Sequence, residues 1–157
     1  MGGNHSNATR IVLSFSRDGN TTWSAPQVIS GALATRTMHD RFRPWITTDS
    51  SGVHAMWYER IHARPVDLIQ TDKDALSLAT ATAAPQLGRE TALSAAPFPV
   101  NQTNPPQDPV ISFCYMGDYN NIFSTGTKRY VTWGDNRTVA TTSGGAENQP
   151  DVFLQAY

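Results

Sequence analysis

Arg41-Phe42-Arg43-Pro44 and Gly117-Asp118-Tyr119-Asn120 are the two short stretches of this 157-residue chain that gather charged and phenolic groups. Ten of the twelve basic residues are arginine. The planar guanidinium favours bidentate partners such as carboxylates. Two further acids, Glu59 and Asp135, stand two residues after Trp57 and Trp133. A catalytic carboxylate is usually unique, so this repetition points to structural acids paired with Arg60 or Arg137. The histidines do not cluster: His54 and His62 are eight apart, and His5 and His39 are isolated. No His/Cys/Asp group has zinc-ligand spacing. Asp72 and Asp74 offer fewer oxygens than a calcium ion takes. Nucleophile-elbow, phosphate-loop and dinucleotide motifs are absent. Cys114, the single cysteine, lies in the apolar run Ile111–Tyr115 and reads as a small buried hydrophobe.

The elements that must position these groups are strands. Charged residues make up 16% of the chain and hydrophobic residues 39%, with Thr, Ser, Asn, Gly and Pro plentiful. That balance suits a turn-rich all-β fold with a real core. A net charge of −1 gives no electrostatic footprint for nucleic acid or an anionic membrane. No apolar run reaches the about 18 residues of a spanning helix. The first residues, MGGNHSNATR, lack the apolar core of a secretory signal. This predicts a cytoplasmic protein, or a chain whose leader lies elsewhere.

Internal repetition organises the chain. Trp45–Arg60 and Asn121–Arg137 each read as strand, Gly-containing turn, strand, then Trp, acid and Arg. Trp57 and Trp133 are the matching positions, 76 residues apart. Segments 10–16, 66–72 and 151–157 form a second family of similar strands. Period-2 alternation is visible in Val53-His54-Ala55-Met56-Trp57 and in Arg129-Tyr130-Val131-Thr132-Trp133. The expected organisation is one domain over 1–157. It comprises an outer hairpin at 10–30, a blade at 40–96, a proline-rich extended connection at 97–116 and a last blade at 117–157.

Ser16-x-Asp18-Gly19-Asn20-x-Thr22-Trp23 resembles the Asp-box, or BNR repeat, of sialidases and related propellers. Asn20 stands where the family pattern has glycine, and asparagine is the side-chain-bearing residue that best tolerates a positive φ. In such a turn Asp18 accepts backbone N–H groups, Thr22 ties its hydroxyl to the backbone and Trp23 packs between strands to pin the hairpin. Together with "DSSGVHAMW", "GDYNN" and "VTWGDNR", the motif makes the chain similar to the last blades of bacterial secreted sialidase-like propellers. The resemblance implies an all-β fold of antiparallel four-stranded blades. It would be a partial sialidase-like β-propeller of about two to three blades, completed by oligomerisation or by further chain. It also implies an extracellular location.

In a sialidase the catalytic parts would be an arginine triad, a Tyr–Glu nucleophile pair and an Asp acid/base. The resemblance makes Arg41 and Arg43 candidates for a carboxylate clamp, or else surface or inter-blade pairs. It places Asp118 and Tyr119 on the innermost strand of the last blade, facing a ligand or a calcium ion or plugging the channel. No other cofactor is implied. Trp45, Trp57, Trp133 and Tyr130 stack on sugars if exposed and otherwise form inter-blade core. Three functions follow as expectations. The first is a non-catalytic module that binds a glycan or protein partner or acts as scaffold. The second is a fragment of an exo-sialidase or related glycoside hydrolase. The third is a homo-oligomeric ring whose site forms at its centre.

Overall fold

The computed structural model describes residues 9–30, 39–61, 68–76, 90–99 and 120–157. Regular structure within them is all β, and every strand pairing is antiparallel. The first sheet is the hairpin of β1 (Val12–Leu13) and β2 (Gln27–Val28). A five-stranded sheet joins β3 (Asp40–Asp49), β4 (Gly52–Ile61) and β5 (Leu68–Leu76), with β6 (Thr91–Ala92) and β7 (Phe98–Pro99) both pairing to β5. The third sheet runs β8 (Asn121–Thr125), β9 (Lys128–Thr142), β10 (Gly145–Ala156). Among the described residues no sheet closes into a barrel.

The alternation read in Val53–Trp57 becomes the two faces of β4. Successive side chains on a strand point to opposite sides, so a strand buried on both sides carries two apolar rows. Ala55 and Trp57, with Val53, pack against Ile11, Leu13 and Ile29 of the first sheet. Met56 and Tyr58 pack against Phe98 and against Ile122, Val131 and Trp133 of the third sheet. The three sheets are therefore stacked layers with the β3–β7 sheet in the middle. Phe42, Phe153 and Tyr157 close the margin of the second core, and Phe153 stacks on Trp133 with centroids 6.0 Å apart.

Polar contacts between the middle and third layers repeat the sequence interval. The Tyr58 hydroxyl donates to the Gly134 carbonyl at 3.1 Å and accepts from the Gly134 N–H at 2.9 Å. Tyr58 and Gly134 are 76 residues apart, the spacing of Trp57 and Trp133. Gly134 lies two residues beyond Asn121–Thr132, the last pair between β8 and β9. The phenol thus supplies what a strand partner would have supplied there. Burial pushes this phenol up to about 12, against the pull of the Gly134 hydrogen bond and of the nearby Arg43 charge.

The polar turn between β1 and β2 departs from expectation in two respects. Gly19 and Asn20 adopt φ of 66° and 70°, the left-handed region that Asn20 was expected to tolerate. Asp18 accepts the Thr22 N–H at 2.9 Å, but the Thr22 hydroxyl goes to the Asp18 carboxylate at 2.6 Å rather than to backbone. Trp23 is 60% exposed and is not buried between strands. The hairpin is instead closed by Ser24, whose N–H meets the Phe15 carbonyl at 2.9 Å while its hydroxyl takes the Phe15 N–H at 3.1 Å. The stretch expected to be a connection begins with strand pairing, since Phe98 and Pro99 oppose Ile69 and Leu68. Pro99 is tolerated because an outer strand has one edge without ladder partners.

Trp57→Ala should cost about 3–5 kcal/mol in chemical denaturation, because it empties a core against two layers. Trp23→Ala should fall within about 0.5 kcal/mol of the parent, as expected of an exposed side chain.

Candidate functional site

Arg41 does not reach the surface. It lies across from Glu59 in the β3–β4 register, so the two share a sheet face. Its side chain and those of Glu59 and Glu90 are fully buried. Arg41 Nη2 meets Glu59 Oε1 at 3.0 Å, and Nε stands 3.5 Å from Glu90 Oε1. Nη1 donates to the His39 carbonyl at 3.0 Å, while His39 Nδ1 reaches Glu59 Oε1 at 2.9 Å. The Arg41 N–H is shared between the Thr9 hydroxyl and carbonyl, tying the start of the chain to β3. Buried charges need such company, because desolvating one alone costs several kcal/mol or more.

The matching acid of the third sheet is held differently. Asp135 Oδ2 accepts from Trp133 Nε1 at 3.1 Å and from Arg137 Nε at 2.8 Å, and Oδ1 takes the Arg137 N–H at 2.9 Å. The Arg137 guanidinium then lies 4.6 Å from the Phe153 ring centroid and 5.8 Å from that of Phe98. Arg137 therefore joins β9 to β10 and to β7 through one charge and two aromatic faces.

A third group sits at the β3–β4 turn. Asp49 Oδ1 accepts the Ser51 N–H at 2.8 Å and the Ser51 hydroxyl at 2.6 Å, and lies 3.1 Å from His54 Nε2. Arg129 of β9 reaches Asp49 Oδ2 at 2.7 Å and also bonds the Ser51 hydroxyl. The Ser51 hydroxyl, and then the other Ser51 and His54 contacts, hold the Asp49 carboxyl well below the ordinary range despite burial. The group includes Ser, His and Asp, but it is not a nucleophile–base–acid relay. A relay needs serine and acid on opposite ring nitrogens, whereas Ser51 and Asp49 both approach Nε2 of His54.

Arg43, unlike Arg41, is only half-buried. The β3–β4 register slips between Phe42 and Trp45, and Arg43 there adopts φ of 51°. A residue before proline is normally held in the extended region, so this conformation is strained. The Asn120 side-chain amide secures it by donating to the Arg43 carbonyl at 2.8 Å. Trp45, two residues on, is 46% exposed. Of the four aromatics that could meet a sugar, Trp57 and Trp133 are core, Tyr130 is half-buried and Trp45 is the one with a large open surface.

The structure thus ties Asn120 to the Arg43 backbone, two residues before the open Trp45, while Arg41 is turned inward. Asp118 and Tyr119, as well as Cys114 and His62, lie outside the described residues. Among the described residues no group of three His, Cys, Asp or Glu is arranged to hold a metal ion. Glu90 and Asn120 were not foreseen, since each acts on a strand far away in sequence. The role of His54 had a signal, for it alternates onto the Met56 and Tyr58 face. In comparisons with protein-family models, curated proteins and solved structures, nothing matches this chain.

Two outcomes test these assignments. Arg41→Met should cost about 3–5 kcal/mol by denaturation, because it strips two buried carboxylates of their cation. Asp18 reports on pH. Hydrogen bonds from the Thr22 and Ser16 side chains and the Thr22 backbone hold its carboxyl at about 2, below the ordinary 3.8. A lowered carboxyl stabilises the fold above the unfolded value and loses that contribution as pH falls through the folded one. The melting temperature of the parent should therefore exceed that of Asp18→Asn at pH 6, with the gap closing between pH 4 and about 2.

Proposed function

We propose that this chain is a non-catalytic binding or scaffold module built from blades of the sialidase-like propeller kind, with a glycan as the favoured ligand class. The observation that carries the reading is the open Trp45 ring beside the bulged Arg43 on β3. An exposed aromatic face offers an apolar platform for a sugar ring, and an arginine two residues before it is a source of directional donors for hydroxyl or carboxylate groups. The acid–arginine pairs support the same reading. Arg41 with Glu59, Arg137 with Asp135 and Arg129 with Asp49 are spent on each other. The blade assignment itself is supported by the stacked sheets and by the Tyr58–Gly134 contact at one repeat interval. A protein partner in place of a glycan is the variant of this reading that a glycan array decides.

A second reading, part of an exo-sialidase, is favoured by one contact. Asn120, which secures the Arg43 carbonyl, directly follows Asp118 and Tyr119 in sequence. Arg43 would then clamp a substrate carboxylate near those two residues.

A glycan array followed by titration calorimetry separates the readings. The module reading expects binding that Trp45→Ala weakens at least tenfold with an unchanged melting temperature, and no release of product from a fluorogenic sialoside. Turnover of the sialoside that Arg43→Ala abolishes would establish the second reading in its place.

A further inference from the structure

The two ends of the layered stack expose apolar faces that the stack's own packing rule would cover. In the third sheet, cross-strand partners share a face, so Phe123, Tyr130 and Ala156 lie together, as do Thr132 and Leu154, and Gly134 and Val152. This is the face opposite Val131, Trp133 and Phe153, which are turned to the core. Phe123, Val152 and Leu154 are 60%, 79% and 68% exposed. At the other end Val12 pairs with Val28, and both point away from Ile11 and Ile29, which pack on Trp57. Val12 and Val28 are each about half exposed.

Each layer meets the next in one sense. The tryptophan-bearing face of a sheet receives the preceding layer, and its opposite face receives the following one. Trp57 receives the hairpin, and the Met56–Tyr58 face receives the Trp133 sheet. Thr132 and Gly134 are the repeat equivalents of Met56 and Tyr58, so the open third-sheet face is the one that receives a following layer. The Val12–Val28 face is the one that receives a preceding layer. The described layers thus end in two unlike apolar faces that continue one packing direction. Clusters of this kind on a folded surface mark contact sites.

We infer that copies of this chain dock head to tail, the Phe123–Val152–Leu154 face of one copy against the Val12–Val28 face of the next. The inference rests on the stacked-blade reading above and names its partner. Such a contact is heterologous, so it closes into a ring if the rotation between copies permits and otherwise extends as a filament.

The test is light scattering on the full chain, on Val12→Lys, on Leu154→Lys and on an equimolar mixture of the two variants. Head-to-tail docking predicts an assembly larger than one chain for the parent and the single-chain mass for each variant. The mixture should give twice the single-chain mass, because one intact pair of faces remains. A parent that stays at the single-chain mass up to millimolar concentration overturns the inference. So does an assembly that Leu154→Lys destroys and Val12→Lys leaves intact, since that is a face docking on itself. Exchange of the Trp57 and Trp133 indole protons, followed by NMR in the same samples, reports on the layers. A single-chain mass with both indoles protected removes the docking alone, whereas rapid exchange of both removes the stacked-blade reading with it.

Discussion

The structure depends on β4 being covered on both faces. A strand in that position cannot hide a polar group on a solvated side, so Glu59, His54 and Tyr58 depend on neighbouring elements, whereas the buried Trp57 Nε1 finds no hydrogen-bond partner among the described residues. Glu59 is answered by Arg41 and His39, His54 by Asp49 and Ser51, and the Tyr58 hydroxyl by Gly134. These answers come from strand β3, from the β3–β4 turn and from the third sheet. Two-sided burial of one strand therefore fixes the register of its neighbours and the approach of the next layer. It also decides which charges are lost to chemistry. A buried ion pair contributes little net stability, but removing one partner is costly. Arg41 is in that sense a commitment of the fold and not a reserve for a ligand.

The same constraint explains why Arg43 differs from Arg41 although only Phe42 separates them. On a regular strand the two would share a face. The register slip after Phe42 and the left-handed backbone at Arg43 break that alternation. Beyond the slip, Trp45 falls opposite Met56 on the core face of β4, yet its ring stays open because β3 is the edge strand of its sheet. A bulge at a sheet edge re-aims side chains while leaving the ladder on either side intact. Held by Asn120, the bulge divides β3 into a half that is buried around Arg41 and a half that is more exposed around Trp45.

Much of this was legible in the sequence, and for a physical reason. The alternation of Val53–Trp57 and of Arg129–Trp133 reports directly on strands, because the side-chain period of a strand is two. The 76-residue interval between Trp57 and Trp133 anticipates the layer contacts at the same spacing. The turn at Ser16–Thr22 was legible because its hydrogen bonds are local. Trp23 was misjudged because a bulky aromatic after a turn is compatible with either face of a short strand, and the hairpin packs through Ile11, Leu13 and Ile29 instead. Glu90 and Asn120 were not legible, since nothing local distinguishes a polar residue that docks on a strand dozens of residues away. The strand pairing of Phe98 was hidden by the prolines around it, which mark extended chain without saying whether it pairs.

A stack of sheets that obeys one packing direction has a consequence for recognition. Interior layers spend their faces on each other, so a ligand can meet them only at strand edges, turns and bulges. Terminal layers keep one face each. Here the edge strand carries the open Trp45, while the terminal faces of the described layers carry aliphatic side chains and one phenylalanine. Those two chemistries suit different partners. In the proposed reading the edge would take a small polar ligand held by direction, and the faces a flat apolar surface held by area. Because both are outcomes of the same layering, a change in how layers are added would alter the proposed assembly without altering the edge. The edge lies on β3 of the middle layer, whose position is already fixed from both sides.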